Sequence, residues 1–129
     1  MISDAQKAAN AAGAIATGLV SLNIPVPLTT VQWADQHYYL PKESSYTPGQ
    51  WETLPFQVAI MNSMGNDRIR TVNLIKSARV GYTKMLLGVE AYFIEHKSRN
   101  SLLFQPTDSA AEDFMKSHVE PTIRDVPVL

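Results

Sequence analysis

The sequence predicts an α/β fold in which a helical N-terminal segment leads into a βαβ unit with parallel strands. Three observations carry that expectation. Residues 69–75 are β-branched and apolar enough for a strand, and they run into a turn holding Lys76, Arg79 and Gly81. Residues 83–96 then place Met85, Leu86, Leu87, Val89, Tyr92, Phe93 and Ile94 on most sides of a helix. Such a helix is buried in a layered fold. Residues 101–105 read as a second short strand, and a helical pattern follows. Strand, helix and strand in that order make a βαβ unit, whose crossover is right-handed.

The remaining elements follow in order. Residues 3–22 are Ala-rich and predict a helix, and residues 24–28 must be extended, because Pro25 and Pro27 fix φ and restrict the residues before them. Thr29 or Thr30 can cap a short helix with Val31, Ala34 and Tyr38 at helical spacing. Residues 40–51 predict a loop, since Pro41, Ser44, Ser45, Pro48 and Gly49 are turn formers. Pro55 suits the first turn of another helix, with Phe56, Ala59, Ile60 and Met64 on its buried side and Gly65 as its stop. Ser109 and Glu112 fit a capping box that opens a last helix, whose inner face carries Phe114, Met115 and Val119. Pro121 ends or kinks it.

A chain of 129 residues is one domain at most and can bury a core. The net charge is −1, so any attraction to nucleic acid must be local. There is no cysteine, which excludes a disulfide scaffold and a thiolate metal site. No charged residue occurs from Ala8 to Trp33, but Asn10, Asn23, Pro25 and Pro27 interrupt the run. It fits a helix and an extended connection better than an export signal or a bilayer span.

The chemistry concentrates in residues 72–84. A nucleotide loop of the G-x-x-x-x-G-K-[ST] type cradles phosphates with backbone N–H groups, completed by a lysine and a hydroxyl. Here Gly81 holds the second glycine position and Thr83 the hydroxyl position, while Tyr82 replaces the lysine and Lys76 the first glycine. A tight turn into a helix aims several N–H groups outward at the positive end of the helix dipole. Lys76, at the loop's start, can fold back over it, Arg79 can meet the γ-phosphate, and Thr83 can hold Mg²⁺. The stretch Lys76, Ser77, Ala78, Arg79, Val80, Gly81, Tyr82, Thr83 and Lys84 is therefore the candidate cofactor site. The same cations also fit a solvated patch around an ordinary βα turn, and Lys84 falls one residue past the hydroxyl position.

Other chemistry has little support. His37, His96 and His118 lack metal-ligand spacing, and there is no Gly-x-Ser-x-Gly elbow. Glu112 and Asp113 read as a solvated helix face. Arg68, Arg70, Lys76, Arg79 and Lys84 cluster in sequence opposed only by Asp67, a charge pattern that DNA or a nucleotide's own phosphates would both use.

The blocks from Trp33 to Tyr46, Gly49 to Gln57 and Lys76 to Lys84 resemble the lambda-type phage terminase large subunit. Residues 62–65, 86–89, 92–97 and 118–125 strengthen the likeness, which covers about residues 29–129 with several independent blocks in order. It implies a partial P-loop NTPase fold of the RecA-like type over residues 29–129, preceded by a segment 1–28 suited to binding the small terminase subunit. It further implies ATP and Mg²⁺ as cofactors, and ATP-driven packaging of double-stranded phage DNA into capsids in the host cytoplasm. The family also has a nuclease region, docks on the portal of the procapsid and works as an oligomer. Its nucleotide loop starts with lysine, which Lys76 matches; Arg79, Gly81 and Thr83 also fall on the family pattern. Tyr46 and Gln57 correspond to its adenine-binding elements, although loop packing and helix capping are the ordinary roles for those two. Lys76 and Arg79 are the catalytic candidates.

The family's acidic strand end and nuclease region have no counterpart in these residues. The expectation is therefore a truncated ATPase region that hydrolyses ATP negligibly by itself and folds marginally. A non-catalytic module that binds the small subunit and an inert prophage remnant are the alternatives.

Overall fold

The computed structural model of the chain describes residues 3–20, 26–43 and 45–129. In order it contains helix α1 (Asp4–Val20), helix α2 (Thr30–His37), strands β1 (Tyr39–Leu40) and β2 (Gly49–Gln50), and helix α3 (Pro55–Met64). Helix α4 (Tyr82–Glu95) and helix α5 (Asp108–Phe114) follow, then a π-helical turn (Met115–Val119) and helix α6 (Glu120–Asp125).

Helix α1 forms as the Ala-rich composition predicts, and every side chain from residue 5 to residue 19 is exposed. Of the connection expected at 24–28, Ile24 and Pro25 lie outside the described residues, and Val26, Pro27 and Leu28 are in neither helix nor strand. Leu28 is pinned to α4 through both backbone groups. Its N–H donates to His96 Nε2 at 3.0 Å, and its carbonyl accepts from the Tyr92 hydroxyl at 3.0 Å.

Thr29, not Thr30, caps α2. Its hydroxyl accepts from the Gln32 N–H at 3.3 Å while Gln32 Oε1 accepts from the Thr29 N–H at 3.0 Å, a complete capping box. Trp33 and Ala34 then face the core with Tyr38 just beyond the helix, all fully buried. The Trp33 indole packs edge-on to Tyr92 at 6.1 Å and donates to Glu95 Oε2 at 2.6 Å. Helices α2, α3 and α4 pack pairwise around Met61, Met85, Val89 and Tyr92, and α6 closes against β1 with Val126 buried.

Helix α3 starts at Pro55 as expected, but its buried residues are Gln57 and Met61. Ile60 and Met64 pack on the core as expected, but Phe56 is 54% exposed and Ala59 is exposed, so the inner face is rotated toward Gln57 and Met61. The Gln57 amide explains the turn, because it is engaged at the helix start by the Leu54 N–H at 2.9 Å. Gly65 ends α3, yet its φ of −84° is open to any residue. Its role is close approach: a Cβ there would lie 1.7 Å from Thr30 Oγ1.

The parallel βαβ unit is not seen. Residues 69–75 and 101–105 carry no strand, and the sheet among the described residues is the antiparallel pair of β1 and β2, Tyr39 opposite Gln50 and Leu40 opposite Gly49. A strand needs ladder partners and a buried face. Here Ile75 (102%), Leu102 (78%) and Phe104 (83%) stay in solvent. The loop expected over 40–51 is instead closed at its ends by this short hairpin; Ser44 lies outside the described residues.

The last helix is capped by Thr107 rather than Ser109, the Thr107 hydroxyl accepting from the Ala110 N–H at 3.2 Å. Glu112 pairs with Lys116 one turn on, at 2.5 Å. Pro121 sits in the first turn of α6, and the π-helical turn just before it absorbs the bond that proline cannot donate, the Glu120 N–H reaching back to the Met115 carbonyl. Phe114 and Val119 pack on the core as expected, while Met115 is 48% exposed.

Replacing Gly65 with alanine is expected to cost about 1–3 kcal/mol by overpacking the α2–α3 contact. Urea denaturation of the two proteins measures it, and an unchanged midpoint would mean that Thr30 yields freely.

Candidate nucleotide site

The start of α4 is built unlike an ordinary helix start. Its N-cap is Gly81 at φ 77°, no side chain caps its first N–H groups, and its first turn holds no acidic residue. Two residues earlier, Arg79 stands at φ 61°. Left-handed backbone at a non-glycine residue is uncommon and costs about 1–2 kcal/mol. Together the turn and the uncapped helix leave backbone donors, at the positive end of the dipole, for an external acceptor.

Two side chains from elsewhere in the candidate set meet this turn. The Gln57 side chain is nearly completely buried, and its Nε2 lies 3.4 Å from the position of a Cβ on Gly81. Because Gln57 Oε1 accepts from the Leu54 N–H, the amide faces the turn with donors. Capping and proximity to the loop thus coexist in one residue. Lys76 Nζ sits 5.6 Å from the centre of the Tyr82 ring, a cation–π contact that lays it over the position where a lysine is usual. Lys76, Ser77, Ala78 and Arg79 are exposed, and Val80, Tyr82, Thr83 and Lys84 are half-buried. Tyr46 is fully exposed (104%), and no contact joins it to the turn among the described residues.

Lys84 is drawn inward rather than left in solvent. Burial holds its ammonium below the ordinary 10.5. His118, on the π-helical turn, is held below its ordinary 6.5 by burial first and by the Lys84 charge second. Sequence spacing missed this pairing, because 34 positions separate the two residues; the only local signal is Phe114 one turn before His118, whose ring it meets at 5.1 Å. The other two histidines pack separately, His37 against Trp33 and His96 against Tyr92.

The residues present suit a phosphate chain better than a metal ion alone. Uncapped N–H groups, Lys76 and Arg79 complement anionic oxygens. For Mg²⁺ the turn offers the Thr83 hydroxyl, and among the described residues no group of three acidic or histidine side chains could hold a metal.

These features give a donor-rich helix start flanked by cations, and the sequence comparisons place the chain in a family. The family model for the ATPase domain of phage terminase large subunit gpA matches residues 45–129, and the chain belongs to that family. It is 92% identical over 129 residues to the terminase large subunit of Enterobacteria phage P21, covering 100% of this chain and 20% of that protein. It is 69% identical over 115 residues to the terminase large subunit of Escherichia phage lambda, covering 89% of this chain and 18% of that one. Protein TfaD of Escherichia coli (strain K12) shares 51% identity over 72 residues, 51% of this chain and 38% of its own length. The chain thus spans about a fifth of the two terminase subunits. No solved structure matches it. No helix among the described residues is long and apolar enough to cross a membrane.

The depressed His118 pKa has a definite sign. The unfolded chain takes up the proton first, so the contribution of His118 to stability is complete above the ordinary 6.5 and is lost as pH falls from there to the folded value. The thermal midpoint should therefore drop on acidification below about pH 6.5, less steeply in Lys84→Met and without this component in His118→Gln. Melting curves at pH values from about 5 to 8 measure it, and identical slopes in all three proteins would refute the Lys84–His118 coupling.

Proposed function

We propose that this chain binds ATP at the start of α4, as the nucleotide-binding part of a terminase that drives packaging of double-stranded phage DNA into capsids. The observation that carries this reading is the meeting of two helix starts: the donor end of buried Gln57 beside Gly81, at an α4 terminus that no side chain caps. An apolar or solvated turn has no use for so many converging donors, whereas a triphosphate has one for each.

In this reading the N–H groups of the turn and of the first residues of α4 hold the phosphate oxygens. Lys76 moves off the Tyr82 ring to offset their charge, and Arg79 meets the terminal phosphate. Thr83 supplies a hydroxyl to Mg²⁺, which would screen the β/γ oxygens when bound with the nucleotide. Gln57 donates at the rim, and Tyr46, exposed, is free to stack on the base. Catalytic turnover, the nuclease activity and portal docking belong to the proposal for the whole terminase.

A second reading rests on α1. Its side chains from residue 5 to residue 19 are exposed, including Ile15 (63%) and Leu19 (60%), which suits this segment to docking on a small terminase subunit. The two readings are compatible, and deletion of 1–28 separates them.

Lys76→Ala is expected to weaken binding of a fluorescent ATP analogue at least about tenfold, and Thr83→Ala to remove most of the Mg²⁺ dependence of that binding. Equilibrium titration reads both. Affinity unchanged in both variants would rule out the site.

A further inference from the structure

A cavity of about 410 Å³ lies along α4 and shares no residue with the nucleotide site. Leu86, Leu87 and Ile94 of the helix form one wall. Phe114 and Val119, at the end of α5 and of the π-helical turn, form another. The segment 101–105 borders it with alternate side chains: Ser101, Leu103 and Gln105 line the cavity, while Leu102 (78%) and Phe104 (83%) stay in solvent.

One residue of the lining departs from this apolar character. Glu90 is half-buried, and its Oε2 has neither solvent contact nor a hydrogen-bond partner. It enters none of the ion pairs among the described residues. A carboxylate oxygen sealed from water without a donor is costly, and a native chain that keeps one has a use for it. The apolar walls also lower the local dielectric, so a cation that reaches this carboxylate gains more than it would in water. The lining holds no lysine, arginine or histidine to fill that role among the described residues.

We propose that the cavity is a binding site for a small hydrophobic ammonium, an alkyl or arylalkyl body between the walls with its cationic nitrogen on Glu90. The volume falls within the roughly 300–1,000 Å³ that takes one small molecule, and an apolar lining with few polar groups is the ordinary build of such sites. Phe114 and Met115 offer a ring and a thioether to an aromatic body. Charge selects the ligand: a neutral body leaves the buried oxygen uncompensated, and an anion is repelled. The inference does not depend on ATP binding at Gly81.

NMR titration with phenylbutylamine, phenylbutanol and phenylbutyrate tests it, read on the amide signals of α4 and of residues 101–105. The three probes share a body and differ in charge. The amine should bind at least about tenfold more tightly than the alcohol, and the carboxylate more weakly than either. Glu90→Gln keeps the shape of the side chain and should bring amine and alcohol within about twofold of each other, without lowering the thermal midpoint. Ala111→Leu, at an exposed position of the lining, should weaken both by at least about fivefold while preserving their ratio. Equal affinity of amine and alcohol for the wild-type chain would overturn the proposal. So would a preference for the amine that survives Glu90→Gln, or no shift of those signals with any probe. A capped leucine–lysine–leucine peptide separates a free amine from a partner's side chain, and tighter binding of the peptide would overturn the assignment to a small molecule.

Discussion

Burial of α4 between α2 and α3 is the constraint on which the rest of the structure depends. Met85, Leu87, Val89, Ala91 and Tyr92 are all almost completely buried, and the large rings of Trp33 and Tyr38 close over the same core. Burying side chains of this size contributes roughly 1.5–3 kcal/mol each. Both ends of the helix meet residues distant in sequence, and the far end is tied by hydrogen bonds. At the start, Gln57 approaches Gly81; at the end, Trp33 donates to Glu95 and Leu28 is held by Tyr92 and His96. A helix anchored in this way presents its first N–H groups, and the cations after its last turn, in defined positions.

The turn before α4 goes against ordinary local preference. A serine, threonine or aspartate at the N-cap would satisfy helix donors, and a glycine or asparagine would relax the left-handed position. The chain has Gly81 and Arg79 there instead. Arg79 raises the energy of the free turn, whereas Gly81 suits its own left-handed φ but brings no side chain to the helix donors. Departures from local rules of this kind concentrate at functional sites. At the opposite end, Ser98 is likewise left-handed, at the turn where Asp67 gathers Lys97 and Arg99.

Local signals explain much of what was legible. The Thr29 cap with Gln32, Pro55 in the first turn of α3, the apolar character of α4 and the glycine at the loop all act within a few residues of one another, so pattern suffices to find them. The two strand expectations depended on ladder partners and failed. The β-branched residues 69–75 and the segment 101–105 have strand composition, but without a ladder their apolar side chains are exposed. Phe56 has core chemistry and lies outside, while polar Gln57 lies inside, because a hydrogen bond and the neighbouring turn outweigh hydrophobicity at that position.

The sequence by itself determined the helices, several of their caps, the glycine turn before α4 and, through ordered blocks of similarity, the terminase family. Only the tertiary structure decided which face of α3 is buried, that Gln57 reaches Gly81, that Lys84 bears on His118, and that Asp67 draws Lys97 and Arg99 beside Arg68. The division has one physical cause. Helix propensity, capping and turn geometry are set by neighbours in the chain, whereas a contact spanning 30 positions exists only after packing has offset the entropy of closing the intervening loop.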